Sequence, residues 1–375
     1  LAAGLPEGGH RLPVWGGPLE PVAADAPAAG GMQYEVLIAE GVLAEAGARV
    51  AAAGLAPGRC AVVTNPTVAA TYAGPLTTSL RAAGFAPAVF EIPDGEGYKT
   101  LDTVATLYAR FAEARLARGE PVIALGGGVT GDLAGFAAAT WLRGVPFVQV
   151  PTTLLSMVDA SIGGKVGVDL PAGKNLVGAF KQPALVLIDP ATLATLPGAE
   201  FRSGLAEVLK SAIIAAPDLF EQLAGDGPSS LTSMIAATAR VKIDLVERDP
   251  LEAGDRAWLN LGHTFGHALE LYSDFTLRHG EAVALGLVAA AELSVALGQA
   301  AHGLPERVRG VVRRLGLPVT YAFDVPRVQA LMATDKKRAG RTLRFVLPRR
   351  IGEVTVVSGV AEEAVAAALR TICAG

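Results

Sequence analysis

The sequence predicts an N-terminal α/β domain on a mainly parallel sheet, followed by a mostly α-helical C-terminal domain. Three observations carry that class. From Tyr34 to about Pro190, short apolar runs alternate with Ala-rich stretches of helical spacing, the pattern of strands joined by crossover helices. Beyond Pro190 the strand signals nearly vanish and helical periodicity takes over. The 375 residues also suit two domains at roughly 100–200 residues each, with room for a sizeable core.

Taken in order, residues 1–31 are rich in Gly, Pro and Ala with weak periodicity and are expected to be a flexible N-terminal extension outside the fold. Residues 32–190 make the α/β domain. Its strands are expected at 34–38, 60–64, 88–92, 122–125, 147–150 and 185–188, with helices at 42–53, 68–83 and 103–117 between them. Residues 191–375 make the helical domain, with helices at 201–215, 230–246, 262–271, 280–297 and 306–315 and a late hairpin at 342–347 and 353–357. A cleft between two such domains is a favoured place for a ligand.

Composition narrows the function. The formal charge of −4 excludes general binding to a phosphate backbone, which needs a basic surface. Cys60 and Cys373 are too few for a disulfide framework or a cysteine metal cluster, and their scarcity fits a reducing cytoplasm. Only 6% of residues are aromatic against 44 Gly, so packing rests on small residues. No basic region followed by an apolar core opens the chain, and no secretory signal is expected. The most apolar stretch, 282–291, stops at Glu292, short of the ~20 residues that cross a bilayer. It reads as a buried helix, so no membrane contact is expected.

The strand-like run 122–125 leads straight into Gly126, Gly127 and Gly128, and then through Val129, Thr130, Gly131 and Asp132 into a helix candidate at 134–141. Glycines let a backbone approach a phosphate, and a helix start offers free N–H groups and a favourable dipole. The layout is Rossmann-like and suits a dinucleotide pyrophosphate, although the spacing is not GxGxxG. A tight strand-to-helix turn would look the same. A second segment, Pro93 to Lys99, follows an earlier strand. There Glu96 could hold ribose hydroxyls and Lys99 could reach a phosphate, or both could be ordinary loop charges.

Three of the five histidines, His263, His267 and His279, cluster. His263 and His267 stand at i and i+4, on one face of a helix. Glu207 lies in an apolar helical run where an unpaired carboxylate would be costly. One carboxylate with two or three imidazoles describes an open catalytic metal site better than a closed structural one. Spacing does not choose which histidine is left out, and both members of the HxxxH pair are ligand candidates. Cations accompany this cluster: Lys165, Lys174 beside Asn175, Lys210 three residues after Glu207, Lys242, Arg256 four residues before Asn260, and Lys336 and Lys337. Singly, each could be a solvated surface charge. Together with a metal and a dinucleotide they point to a small substrate with more than one anionic group.

These residues together resemble the 3-dehydroquinate synthase family of the sugar-phosphate cyclases. The markers are LGGGVTGDLAGFAAATWLRG, VPTTLLSMVDASIGGKVGVDLPAGKNLVGAFKQP, GLAEVLK, LNLGHTFGHALE, RHGEAVALG and DKKRAG, and the likeness runs from about Val36 to Val357. The resemblance implies an N-terminal NAD-binding domain, a C-terminal metal-binding domain and a homodimer. It puts zinc or cobalt on Glu207, His263 and His279, and moves His267 to the substrate. It assigns NAD to Asn65, Glu96, Lys99, Gly127, Gly128, Val129, Asp132, Thr152, Thr153, Lys174 and Thr195. Asp159, Lys165, Lys210, Asn260 and His267 would carry catalysis, with Asp159 and Lys210 on the substrate hydroxyls. The substrate phosphate would meet Lys165, Asn175, Asn260, His267 and either Lys336 or Lys337, with Arg143 reaching across the dimer interface. Its carboxylate would meet Lys242 and Arg256.

The implied reaction converts 3-deoxy-D-arabino-heptulosonate 7-phosphate to 3-dehydroquinate and phosphate. It proceeds by transient NAD-dependent oxidation at C5, β-elimination of phosphate, re-reduction, ring opening and intramolecular aldol closure. Sister cyclases that use sedoheptulose 7-phosphate or glucose 6-phosphate have no carboxylate to bind, and Lys242 with Arg256 argues against them. An amino-substrate cyclase would keep the carboxylate. A metal-dependent polyol dehydrogenase would share the broad architecture but accumulate NADH. A non-catalytic NAD-binding scaffold would have no need of the complete set of site residues.

Overall fold

The computed structural model describes residues 22–23, 34–339 and 343–374, with side chains described for 34–332 and 343–374. Of the expected extension only Val22–Ala23 is among the described residues. The strands of the first half are β1 (Val22–Ala23), β2 (Glu35–Ile38), β3 (Arg59–Thr64), β4 (Ala86–Glu91), β5 (Val122–Gly126), β6 (Phe147–Pro151), β7 (Lys165–Leu170), β8 (Gly173–Phe180) and β9 (Leu185–Ile188). Seven of them form one sheet in the order β1-β2-β9-β6-β5-β3-β4. All neighbours are parallel except β1, which runs antiparallel to β2 with Val22 opposite Ile38. All six expected strands are present. β5, Val-Ile-Ala-Leu-Gly, is buried along its whole length, as a central parallel strand covered on both faces should be.

Helices α1 (Ala46–Ala52), α2 (Pro66–Val68), α3 (Gly74–Ala82), α4 (Leu101–Glu113) and α5 (Gly128–Thr140) cover this sheet. Alternate residues along each strand face opposite layers. Leu37, Val62, Ile123, Val148 and Leu187 pack with Val50, Leu76 and Leu80 of α1 and α3. Val63, Val122 and Ala124 face Val104, Leu107, Phe111 and Leu133 of α4 and α5. Val36, Ile38, Val186 and Ile188 turn instead toward the C-terminal half and share its core. The chain does change character after β9, but the two halves are welded by one apolar cluster.

The second half contains α6 (Gly198–Ala215), α7 (Pro217–Ala224), α8 (Leu231–Arg248), α9 (His263–Tyr272), α10 (His279–Ala296), α11 (Leu304–Arg314), α12 (Val325–Ala339), the hairpin β10 (Arg344–Arg350) with β11 (Glu353–Ser358), and α13 (Glu362–Arg370). Ser230 caps α8 with a reciprocal hydrogen bond to Ser233. By length and composition α10 could cross a membrane, with mean hydropathy 1.3, but 72% of it is buried inside the protein. It is the central helix of the second half.

Two departures from expectation have clear causes. Helix α5 begins at Gly128 rather than 134; Gly128 and Gly131 in its first turns weaken the helical signal there without preventing the helix. The antiparallel pair β7–β8 was not expected as strands. Gly167 and Gly178 stand opposite each other in it. A Cβ on Gly178 would lie 2.4 Å from the Val166 carbonyl oxygen. Val166, Val168, Val177 and Ala179 pack on the N-terminal core, but Gly167 and Gly178 between them carry no side chain, so the usual strand signal is weak.

Candidate active site

Asn65, Gly127 and Gly128, expected at a dinucleotide, lie at the carboxyl ends of strands of the N-terminal sheet. From β3 the chain goes on to β4 on one side, and from β5 to β6 on the other. Such a switch point opens a crevice for a ligand in parallel sheets. Asn65 follows β3, and Gly127 and Gly128 follow β5. Gly127 is the N-cap of α5 with no side chain capping it, so the first N–H groups face outward and suit an anion. A Cβ on Gly127 would sit 3.0 Å from Thr153 Cγ2, and one on Gly126 would collide with Thr130 Oγ1 at 2.6 Å. Gly126 is favoured by closeness rather than by a left-handed backbone, and Gly127 leaves a tight fit against Thr153.

The other expected NAD contacts pair locally. Asn65 Nδ2 donates to Asp94 Oδ1 at 3.1 Å, and its Oδ1 caps Val68 N at 2.8 Å. Buried Lys99 lies 2.5 Å from Asp132 Oδ2 and donates to Asn175 Oδ1 at 2.5 Å. Lys174 Nζ is 3.3 Å from Glu96 Oε1. Thr195 Oγ1 meets Tyr72 Oη at 2.7 Å. Thr152 is buried beside Gly126, whose carbonyl accepts its N–H, and Thr153 Oγ1 accepts from Ser156 N. Val129 packs against the sheet core. Asn175, expected at the phosphate, is thus joined to Lys99.

Three helices bring the metal candidates together. Glu207 comes from α6, His263 opens α9 and His279 opens α10. Glycine contacts seat these helices. A Cβ on Gly280 would lie 2.0 Å from Ser203 O of α6, and a Cβ on Gly286 would lie 2.0 Å from Gly262 O, next to His263. Glu207 Oε1 then lies 3.2 Å from His279 Nε2 and 3.5 Å from His263 Nε2. The three ligand atoms fall within 4.8 Å of one another. His267 stacks edge-on to His263, ring centres 5.2 Å apart. It also belongs to a second possible group with Glu270 and His279.

A string of alternating charge extends from this point. The other oxygen of Glu207, Oε2, faces the ammonium of Lys210, one helical turn on and equally buried. Lys210 Nζ is 3.9 Å from Asp159 Oδ1, which accepts from Lys242 Nζ at 2.6 Å. Burial alone would raise Glu207, but Lys210 and the two histidines hold its carboxyl well below the usual range. Burial would likewise raise Asp159, yet Lys210 and Lys242 keep it at about 2. Burial, helped by Lys210 and Arg256, lowers Lys242 against the pull of Asp159. Burial takes His263 down to about 3, leaving a neutral imidazole. Burial would lower His279, but hydrogen bonds donated to Glu207 and Glu270 carry it up to about 10.

Arg256 is buried. Its Nη1 donates to Pro250 O at 2.6 Å and its Nη2 to Gly163 O at 3.0 Å, while its buried Nε has no partner among the described residues. Asn260 Nδ2 donates to Glu252 Oε1 at 3.2 Å, and Lys165 pairs with Oε2 of the same carboxylate. Arg143 is exposed on a turn whose backbone is left-handed at Leu142 and Arg143. Lys336 and Lys337 fall on α12, but their side chains lie outside the described residues. Two carboxylates escaped the sequence reading. Glu252 stands between Lys165 and Asn260. Glu270 lies on the face of α9 that carries His263 and His267, at i+7 and i+3, and that spacing could have found it.

Comparison with known proteins follows the same outline. The family model described as 3-dehydroquinate synthase N-terminal matches residues 89–203, and the one described as 3-dehydroquinate synthase C-terminal matches residues 204–338. A 3-dehydroquinate synthase of a Synechococcus species is 46% identical over 353 residues, covering 90% of this chain and 96% of its own. The structure of 2-epi-5-epi-valiolone synthase from Streptomyces hygroscopicus, with NAD+ and Zn2+ bound, superposes with TM-score 0.84 at 30% identity, covering 93% and 99%. A 2-deoxy-scyllo-inosose synthase complexed with carbaglucose-6-phosphate, NAD+ and Co2+ shares the fold, with TM-score 0.80 at 24% identity over 90% and 96%.

Proposed function

The chain belongs to the 3-dehydroquinate synthase family, and from that premise we propose that it converts 3-deoxy-D-arabino-heptulosonate 7-phosphate to 3-dehydroquinate and phosphate. This is a carbon–oxygen lyase reaction that depends on NAD and a divalent metal. The observation that carries the reading is the buried Glu207. One of its oxygens faces two imidazoles and the other faces Lys210, which Asp159 joins to Lys242.

The donor set fits the metal. One carboxylate and two imidazoles leave a coordination position open, and zinc or cobalt accepts that set. The uncapped N-terminus of α5 and the bare backbone of Gly127 and Gly128 there fit a pyrophosphate. In the proposed site Glu207, His263 and His279 hold the metal, and the residues around Gly127, Gly128, Asn65 and Glu96 hold NAD. When bound, NAD supplies a reversible hydride acceptor and the metal a Lewis acid.

The chain's own task is orientation and charge complementarity. Lys242 keeps one ammonium N–H beyond its two bonds to Asp159, and Arg256 keeps its buried Nε–H. These two donors suit the substrate carboxylate. Asp159 and Lys210 hold opposite charges side by side, so they can fix a hydroxyl from both its acceptor and donor sides. Lys165, Asn260 and His267 suit the phosphate, for which Glu252 must give way. No positioned base is required if the departing phosphate dianion removes the neighbouring C–H proton. The two free cysteines and the small-molecule chemistry fit a cytoplasmic enzyme, and Arg143 on its exposed turn fits a contribution to a second subunit.

A substrate panel tests the choice among cyclases. With NAD and zinc present, phosphate release is expected from the heptulosonate phosphate and not from sedoheptulose 7-phosphate or glucose 6-phosphate. Release from sedoheptulose 7-phosphate alone would overturn the assignment.

A further inference from the structure

His279 has both ring nitrogens occupied by carboxylates. Its Nε2 lies 3.2 Å from Glu207 Oε1, and its Nδ1 lies 3.3 Å from Glu270 Oε1. His263 differs. Its Nδ1 meets a neutral acceptor, the Leu261 carbonyl, at 3.1 Å. Glu270 is 5% exposed, so its charge is there at a cost that something must offset. His279 is one partner. The other is Lys174 Nζ on β8, 4.0 Å from Glu270 Oε1 and 3.3 Å from Glu96 of the N-terminal half. Lys174 also lies 4.5 Å from the Phe275 ring, just beyond α9. Glu270 is therefore a charge-balanced carboxylate aimed at one nitrogen of one proposed ligand.

We propose that Glu270 is the positioning residue of the metal centre: it accepts the Nδ1–H of His279 and so leaves the Nε2 lone pair for the metal beside Glu207. A histidine can offer only one neutral nitrogen at a time as a lone-pair donor, and the partner of the other nitrogen decides which. An anionic partner also makes the ligand more basic, and removing such a partner typically weakens metal binding about 10–100-fold. Glu270 is not itself a ligand in this arrangement, although it could form a different group with His267 and His279. The proposal rests on the metal reading of Glu207, His263 and His279.

The test is zinc affinity of the metal-stripped full-length protein, read by competition with a chromophoric chelator, together with zinc stoichiometry. Wild type is expected to bind one zinc per chain. Glu270→Ala is expected to keep that stoichiometry and bind about 10–100-fold more weakly, and Glu270→Gln, whose amide oxygen still accepts the N–H, about 3–10-fold more weakly. Affinity of Glu270→Ala within about twofold of wild type would overturn the proposal, as would two zinc ions in wild type falling to one in the variant. Should Glu270→Ala not fold, Glu270→Gln decides alone, with unchanged affinity overturning the proposal. A wild-type protein that binds no zinc would instead sink the metal reading beneath it.

Discussion

Lys242 grips Asp159 twice, donating to its carboxylate at 2.6 Å and to its main-chain carbonyl at 2.5 Å. The lysine comes from α8 and the aspartate from the turn of helix Ser156–Ala160 that follows β6. The contact ties the two halves of the chain at the site itself. It also gives the site an acid-side signature.

The ordinary pKa of Asp159 is 3.8; burial would raise it, but Lys210 and Lys242 hold it at about 2. As pH falls the unfolded chain takes up this proton first. The stabilisation is therefore complete above 3.8 and is lost as pH drops toward 2. In Asp159→Asn that contribution is absent. The difference in unfolding free energy between wild type and variant should shrink by about 2 kcal/mol between about pH 4 and pH 2, measured by urea denaturation. A constant difference across that range would contradict the assignment.

Gly286 and Gly310 make a paired test of how α10 is seated. An added Cβ at Gly286 meets Gly262 O at 2.0 Å, whereas one at Gly310 on α11 meets nothing within 4 Å. Gly286→Ala should cost about 3 kcal/mol and weaken zinc binding, because Gly262 precedes His263, one of the three proposed ligands. Gly310→Ala should gain up to about 1 kcal/mol through helix propensity. Thermal unfolding of both variants checks the contrast.

Arg256→Ala removes a buried cation assigned to the substrate carboxylate. Loss of at least about 30-fold in kcat/KM for the heptulosonate phosphate is expected, since leaving a buried charge unpaired costs about 2–5 kcal/mol, with NAD affinity nearly unchanged. Arg256→Lys keeps the charge but loses the fork and should fall between. Parallel losses for substrate and NAD would point to a purely structural brace between Pro250 and Gly163.

Glu252 occupies the space between Lys165 and Asn260, on a left-handed backbone with φ 61°. Its carboxylate competes there with any incoming phosphate. Glu252→Gln should therefore bind inorganic phosphate roughly 10-fold more tightly by calorimetry, about 1.4 kcal/mol. Weaker binding would show that Glu252 helps to build the subsite rather than filling it.

The fold was readable wherever burial repeats with a regular period. All six parallel strands and the five expected C-terminal helices stand where apolar spacing put them, within a few residues. The pair β7–β8 was hidden because Gly167 and Gly178 interrupt with bare backbone the alternation that Val166 and Val168 begin. The site was readable in kind but not in detail. Glu207 stood out as a carboxylate in an apolar run, and the histidines by their clustering. Spacing alone offered both His263 and His267 as ligand candidates. Folding also brings His279 from α10 to Glu207 at 3.2 Å, a contact between helices that no local pattern encodes. Glu252 and Glu270 went unnoticed because their partners, Lys165 and Asn260 for the first and His279 and Lys174 for the second, meet them only in the folded chain.

The central claim is that oxidation and reduction cancel within one turnover at this site. Phosphate release and absorbance at 340 nm, followed together on the zinc-loaded protein with NAD and the heptulosonate phosphate, test it most directly. Stoichiometric phosphate with no accumulation of NADH is expected. NADH rising in step with substrate consumption would contradict the account and identify a dehydrogenase.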